Sequence, residues 1–306
     1  MSRTVLTGAT GLIGGELVAA LLERGDEVRV LTRDPERARS LLGDRVELFA
    51  WPEPTAGPPP SAALEGVDRV VNLIGEPVAQ RWSPEVKEQI RDSRVLGTRN
   101  LVAGIAALAD GERPQVLLSG SATGYYGPTG AEPLDESAPA GSDFLAGVVT
   151  AWEAEARAAD ELGLRVALTR TGLALSRGGG ALAQMLPPFR LGVGGRVGDG
   201  RQYVPWVHIA DVVAALMAVL DDQRARGAFN TTAPYPVTNR EFSRTLGRVL
   251  HRPAVMPVPK LALKLRYGEL GEMVATGQRA VPAGLSELGY RFRWPDLEPA
   301  LSNVIG

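Results

Sequence analysis

The stretch that decides the fold is Thr4-Val-Leu-Thr-Gly8-Ala-Thr-Gly11-Leu-Ile-Gly14, close to the amino terminus. Thr4–Leu6 reads as a short strand, and Gly14–Arg24 reads as a helix. A glycine-rich turn between a strand and a helix lets backbone N–H groups approach a phosphate, which then lies at the positive end of the helix. The stretch therefore predicts the first βα unit of a dinucleotide-binding sheet. The alternative is a tight turn that holds no ligand.

The rest of the first half repeats this alternation of short apolar runs with longer helical patterns. The predicted strands are Glu27–Thr32, Val46–Ala50, Val67–Leu73, Gln115–Ser119 and Arg165–Thr169, and the predicted helices are Pro35–Leu42, Pro84–Ala107 and Ala151–Leu162. Such an alternation predicts an α/β fold of the Rossmann type, a doubly wound parallel sheet with helices on both faces.

Other patterns appear outside this alternation. Trp51–Pro60 is a proline-rich surface loop, and Ser176–Gly200 reads as a glycine-rich excursion away from regular structure. Thr238–Leu250 reads as a helix capped by Thr238 or Asn239. We predict a nucleotide-binding domain over residues 1–235 and a small α+β subdomain over residues 236–306 on the substrate side, to which residues 176–206 also contribute.

Composition narrows the classes of function. The chain has 306 residues, of which 44% are hydrophobic and 22% charged, as in a globular protein of one large or two small domains. It has no cysteine, which excludes disulfides, thiol nucleophiles and cysteine-ligated metals. The two histidines, His208 and His251, are far apart in sequence, so no metal site is expected.

The net charge of −2 gives no general reason to bind nucleic acid or an anionic membrane. The amino-terminal residues lack the pattern of a targeting segment. We therefore expect a cytoplasmic protein, a monomer or homodimer, that acts on a small molecule.

The end of the second strand indicates which dinucleotide is bound. A site for NAD has an acidic residue there that binds the ribose hydroxyls. This chain has Thr32 and Arg33 in that place, followed by Asp34. A guanidinium suits a 2′-phosphate better than a diol, and Arg37 lies one turn further on. The residues predict NADP(H) rather than NAD(H); the alternative is that Arg33 is a solvated loop residue.

Several motifs resemble the extended, epimerase-like branch of the short-chain dehydrogenase/reductase superfamily. They are TGATGLIG (7–14), VLGTRNL (95–101), SGSATGYYG (119–127) and WVHIAD (206–211). The longer motifs NLIGEPVAQRW (72–82), RDSRVLGT (91–98) and GQRAVPAGLSELGYRFRWPDLEPAL (277–301) are similar to one atypical group of that branch. Its members are called epimerase family proteins, or NAD-dependent epimerase/dehydratase-like, and their C-terminal domain has no assigned function.

The glycine turn, Arg33 and the resemblance together predict a cofactor site. Its expected residues are Gly8, Thr10, Gly11, Leu12, Ile13, Gly14, Thr32, Arg33, Leu73, Ile74, Gly75, Arg94, Ser119, Thr171 and Gly172. For Arg94 the alternative is an exposed charge on a helix, and for Ser119 it is a residue that caps the end of a strand.

The resemblance breaks down at the catalytic residues. The superfamily uses Tyr-x-x-x-Lys, in which tyrosine is the general acid/base and lysine lowers the pKa of its phenol. The three lysines are Lys87, Lys260 and Lys264, and none follows a tyrosine at that spacing. Counting back from Glu153, the expected positions hold Leu145 and Val149. We therefore expect no nearby cation to activate a phenol.

Two functional hypotheses remain. In the first, the chain is an oxidoreductase or a nucleotide-sugar epimerase-like enzyme, and catalysis has moved to Ser121 with Tyr125 or Tyr126, or to a carboxylate such as Glu76. In the second, the chain binds NADP(H) as a sensor or regulator without turnover.

Overall fold

A computed structural model describes residues 2–259, 268–269, 271 and 276–306. Its centre is a sheet of seven parallel strands in the order β3-β2-β1-β4-β5-β6-β10. These strands are β1 (Arg3–Thr7), β2 (Glu27–Thr32), β3 (Glu47–Ala50), β4 (Arg69–Asn72), β5 (Val116–Ala122), β6 (Arg165–Thr171) and β10 (Gly227–Thr231). The order of the strands reverses between β1 and β4, which is where ligands bind in sheets of this kind.

Helices cover both faces of the sheet, as the βα alternation predicts. The helices are α1 (Leu12–Arg24), α2 (Pro35–Leu42), α3 (Ser61–Leu64), α4 (Pro84–Ala106), α5 (Phe144–Arg157), α6 (Gly180–Arg190), α7 (Ile209–Asp221), α8 (Asn239–Val249), α9 (Ala283–Glu287) and α10 (Leu297–Ile305). Four short strands lie outside the central sheet: β7 (Leu173–Leu175), β8 (Tyr203–Val204), β9 (Trp206–His208) and β11 (Val237–Thr238). The Rossmann-type fold is confirmed.

Period-two alternation divides each central strand between two cores. Leu6 of β1 packs in one apolar cluster with helices α1 and α7, whereas Val5 packs in a second cluster with α3 and α4. In the same way Val71 and Val70 of β4 go to opposite faces. Strands buried on both faces need apolar side chains at successive positions, and this explains the continuous apolar runs in the sequence.

A third apolar cluster combines residues from the end of the chain with residues near 175–206. Its members include Leu182, Leu186 and Phe189 of α6, Phe242 of α8 and Leu301 of α10. The C-terminal subdomain over residues 236–306, with its contribution from residues 176–206, stays a prediction.

The prediction that Ser176–Gly200 lacks regular structure is wrong. Helix α6 lies inside this stretch and contains two prolines, Pro187 and Pro188. It forms because Leu182, Leu186 and Phe189 follow helical spacing and are buried in the third cluster. The surrounding glycines concealed that spacing.

The starts of α8 and α5 can be compared with the starts that the sequence predicts. Helix α8 begins as expected, because Thr238 accepts a hydrogen bond from the Glu241 N–H while the Glu241 carboxylate accepts one from the Thr238 N–H. Helix α5, however, starts at Phe144 rather than at Ala151, with Asp143 as its cap. It then ends in a short 3₁₀ turn over Ala158–Leu162.

Candidate functional site

The glycine turn packs against the end of β4, at the reversal point of the sheet. Gly8 has φ +68°, and a Cβ on it would lie 2.3 Å from the carbonyl oxygen of Leu73. A Cβ on Gly14 would lie 2.2 Å from the carbonyl oxygen of Gly8. Neither position has room for a side chain, so glycine is required for α1, the turn and β4 to come this close.

The amino terminus of α1 is open toward this edge. Gly11 is the N-cap residue and no side chain caps the first turn. Thr10 and Gly11 are exposed, and Leu12 and Ile13 are half-buried. The first-turn N–H groups of a helix lack intrahelical partners and lie at the positive end of its dipole, so they are suited to bind an anion.

A buried polar network holds the end of β4 in register with β1. The Thr7 hydroxyl donates to Oδ1 of Asn72 at 2.8 Å, and the Leu73 N–H donates back to the Thr7 oxygen at 3.0 Å. The Asn72 amide donates to the hydroxyl oxygens of Thr98 at 2.8 Å and Ser119 at 3.2 Å. The half-buried Leu73 and Ile74 and the exposed Gly75 are thereby fixed at the open edge.

Ser119 does not fit the cofactor contact predicted for it. It is fully buried, and its hydroxyl is occupied by the network around Asn72. Its placement agrees with the alternative reading, a residue that holds the end of a strand.

Arg33 and Thr32 lie at the carboxyl end of β2, on the same edge. The Arg33 side chain is 72% exposed, and its Nη1 is 3.9 Å from Oε2 of Glu76. One oxygen of the Asp34 carboxylate accepts the Arg37 N–H at 3.0 Å as the cap of α2. The end of β2 therefore presents an exposed guanidinium, and the carboxylate that follows it caps the next helix.

Arg94 of α4 lies over the end of β4 and is half-buried. It is therefore not an exposed charge on the surface of the helix. Its Nη1 donates to the carbonyl oxygens of Glu76 at 2.9 Å and Ile90 at 3.1 Å. Burial lowers the pKa of Arg94 to about 10, with the Glu76 carboxylate acting in the opposite direction. Arg94 thus stays charged at neutral pH beside Gly75, where an added Cβ would meet its guanidinium at 2.8 Å.

At the end of β5 the structure brings together an ion pair that sequence reasoning missed. Arg170 of β6 donates to both carboxylate oxygens of Glu153, at 2.8 and 2.9 Å, and both side chains are buried. The Ser121 hydroxyl donates to the same carboxylate at 2.6 Å, and Ser121 is itself buried, at 6% exposed. Burial disfavours the charge on Arg170, but the hydrogen bonds and charge of Glu153 outweigh it and raise the pKa of Arg170.

The expectation of no cation near a phenol is wrong. The Arg170 guanidinium carbon lies 3.4 Å from the ring centroid of Tyr125. Sequence spacing did not reveal this contact, because Arg170 comes from a different strand, far along the chain. Tyr125 is half-buried, and no hydrogen bond joins its hydroxyl to the described residues.

Tyr126 does not fit a catalytic role. It is 2% exposed, and its hydroxyl donates to Oδ1 of Asn230 at 2.6 Å and accepts from Arg170 at 3.2 Å. Burial raises the pKa of its phenol, despite the opposing effect of Arg170. Tyr126 is part of the wall behind the site.

The positions expected for the catalytic tyrosine and lysine hold apolar side chains, those of Leu145 and Val149. A Cβ on Gly124 would lie 3.6 Å from the Leu145 side chain, and Val149 is buried. Lys87 lies 4.5 Å from the Phe144 ring centroid and pairs with Glu269 at 2.7 Å. Lys260 and Lys264 fall outside the described residues.

The far side of the edge is built from the sixth strand and the C-terminal region. Thr171 is half-buried at the end of β6, and the Leu173 N–H donates to the Pro205 carbonyl at 2.7 Å. Gly172 lies between them, half-buried, and its N–H donates to the Thr231 carbonyl.

His208 is a structural residue. Burial lowers its pKa, and its ring nitrogens bond to the Ala210 N–H and Asn303.

A glycine turn, an uncapped helix terminus and an exposed guanidinium at the carboxyl edge of a parallel sheet define a dinucleotide-binding protein of the Rossmann type. The sequence model of the NAD dependent epimerase/dehydratase family matches residues 4–231. A second model, described as a domain of unknown function (DUF1731), matches residues 258–304. The chain belongs to the NAD dependent epimerase/dehydratase family.

Known relatives resemble the chain over most of its length. An epimerase family protein SDR39U1 homolog of Arabidopsis thaliana, described as chloroplastic, is 38% identical and covers 98% of this chain and 86% of its own. An epimerase family protein of Mycobacterium bovis is 39% identical and covers 97% and 95%. The crystal structure of human SDR39U1 (isoform 2) with NADPH is 33% identical, with a TM-score of 0.87 over 99% of this chain and 98% of that one.

Within the described part of the chain, no helix is long and apolar enough to cross a membrane.

Replacing Gly14 by alanine tests the close packing of the glycine turn. We expect Gly14→Ala to lower the free energy of unfolding by about 2 kcal/mol, since the new methyl group meets backbone that cannot move aside. Gly15→Ala is the matched control, because a Cβ there has ordinary contact at 3.7 Å. In urea unfolding it should be neutral or stabilising by up to about 1 kcal/mol. Equal effects of the two substitutions would contradict the packing described.

Arg170→Met tests the buried ion pair. Removal of one partner leaves the Glu153 carboxylate buried and uncompensated, so we expect a loss of about 3 kcal/mol in unfolding free energy. Arg157→Met is the control, because Arg157 is half-exposed and lies 3.8 Å from the same carboxylate. We expect it to cost less than about 1 kcal/mol. Similar losses for both variants would show that the buried pair has no special role.

Proposed function

We propose that the chain is an NADP(H)-binding oxidoreductase that acts on a small alcohol or carbonyl substrate. The observation that carries the cofactor assignment is the exposed Arg33 guanidinium at the same edge of the sheet as the uncapped terminus of α1. The pyrophosphate would lie on the Gly8–Gly14 turn, the 2′-phosphate on Arg33 with Thr32, and Arg94 would face the phosphates across Gly75. The NADPH bound to human SDR39U1 supports this assignment.

The nicotinamide end of the site would lie near Ser121, Tyr125 and Thr171, where β5 and β6 end. A bound nicotinamide supplies hydride transfer. The Ser121 hydroxyl has a single proton and donates it to Glu153, so its oxygen is left as an acceptor. An acceptor favours a substrate hydroxyl, whose proton can pass through Ser121 to the Glu153 carboxylate. Tyr125 would then orient the substrate rather than act as the base.

A second function remains open on one observation. Leu145 and Val149 replace the superfamily's tyrosine and lysine, and neither side chain can transfer a proton. A chain that retained the cofactor site without those groups would report the redox state of the cofactor to a partner. The cytoplasmic location and the substrate-side role of the C-terminal subdomain stay predictions.

Reversing the charge of Arg33 tests the cofactor assignment. We expect Arg33→Glu to weaken NADPH binding at least about tenfold while NADH binding changes little, because only NADPH has the 2′-phosphate. Arg39→Glu, another exposed arginine of the same helix region, should leave both affinities unchanged. Isothermal titration calorimetry measures both dissociation constants. An equal loss for NADPH and NADH would refute the assignment of the 2′-phosphate.

A turnover assay distinguishes the two proposed functions, enzyme and sensor. With NADPH bound, its absorbance is followed against a panel of small aldehydes and ketones, and with NADP⁺ against the corresponding alcohols. Ser121→Ala should abolish any turnover and leave the affinity for NADPH unchanged. Tight binding without reaction across the panel would favour the sensor, and failure to bind either dinucleotide would exclude both functions.

A further inference from the structure

The C-terminal subdomain has a surface on which exposed arginines and exposed aliphatic side chains lie together. We call it the arginine–aliphatic surface. Its members are Arg190, Leu191, Val193, Arg201, Arg240, Arg244, Arg248, Arg252, Val255 and Met256, all of them exposed. It is built from the outer face of α8 and from the two segments 190–201 and 252–258.

Helix α8 supplies the centre of the positive charge. Arg240, Arg244 and Arg248 follow each other at four-residue spacing and therefore share one face. The opposite face, with Phe242 and Leu246, is buried in the third apolar cluster. The helix is thus anchored by its apolar side and presents arginines outward.

Backbone contacts join the two flanking segments to this helix. The Arg240 N–H donates to the Gly200 carbonyl at 3.0 Å, and the Arg252 N–H donates to the Gly247 carbonyl at 2.9 Å. The Arg252 Nε donates to the Arg190 carbonyl at 3.1 Å, which brings the two segments side by side. The surface is therefore continuous rather than two separate patches.

The aliphatic members of the surface are unusually exposed. Leu191 is 78% exposed, Val255 73%, Met256 55% and Val193 53%. Large aliphatic side chains exposed on two adjacent segments mark a surface that meets a partner.

The local charge differs from that of the chain as a whole. Six arginines on this surface are exposed, whereas the segments that form it, 190–201 and 239–258, contain two carboxylates, Asp199 and Glu241. Glu241 is bound in the cap of α8, and Glu298 pairs with Arg248. Arg190 and Arg244 form no ion pair with the described residues. The whole chain has a net charge of −2, but this surface is positively charged.

We propose that this surface docks the protein peripherally on an anionic lipid bilayer. Arginines would contact lipid phosphates and carboxylates, while the aliphatic side chains enter the boundary of the acyl chains. A nucleic acid would match the charge but would leave the aliphatic side chains without a favourable environment. The proposal is independent of the function proposed above.

Vesicle flotation tests the proposal with the full chain. We expect the protein to float with phosphatidylcholine vesicles that contain 30% phosphatidylserine, and not with phosphatidylcholine alone. Arg244→Glu/Arg252→Glu should reduce the bound fraction about tenfold or more, since each arginine near an anionic surface contributes to binding. Leu191→Ser/Val255→Ser should reduce it several-fold, because binding also scales with the buried apolar area.

Arg224→Glu/Arg226→Glu is the matched control, with the same charge change on exposed arginines before β10. It should float like the unchanged protein, and far-UV circular dichroism spectra equal to that of the unchanged protein show that all variants are folded. Three results would overturn the proposal: no flotation with anionic vesicles, equal losses in the control, or fluorescence anisotropy that shows binding to a 30-base-pair DNA without flotation.

Discussion

The close approach of the glycine turn to the end of β4 is the constraint on which the site depends. With Gly8 against the Leu73 carbonyl and Gly14 against the Gly8 carbonyl, helix α1 can point its open terminus at the reversal point of the sheet. The polar network around Asn72 then holds the ends of β1 and β4 in register. Because buried hydrogen bonds are costly to leave unmade, this network holds the edge in one arrangement.

Around that edge, two charged groups are held in different ways. Arg33 is exposed and weakly paired with Glu76, so it can exchange that partner for a ligand. Arg170 is buried with Glu153 in a bidentate pair, and the Glu153 carboxylate also accepts a hydrogen bond from the Ser121 hydroxyl. The first group is suited to recognition, and the second fixes the end of β5 and the face of Tyr125.

Local signals in the sequence predicted the helices correctly where the capping residues and the hydrophobic periodicity indicated the same helix start. The capping box at Thr238 and Glu241 is an example, because all of its groups lie within one helical turn. Prediction failed at α6, where glycines concealed an apolar spacing, and at the start of α5, where Asp143 caps a helix that begins before its recognisable apolar pattern. It also placed Ser119 and Tyr126 at the open edge, although both are buried.

What the sequence alone determined is the kind of sheet, the glycine turn, the arginine after β2 and the loss of the tyrosine–lysine pair. Each of these depends on residues that are close together in the chain. Only the tertiary structure decided that Arg170 faces Tyr125, that the Glu153 carboxylate accepts a hydrogen bond from Ser121, and that arginines and aliphatic residues of three segments form one surface. Such pairs are distant in sequence, and chain folding brings them together because burial and hydrogen bonding favour contacts that local spacing does not specify.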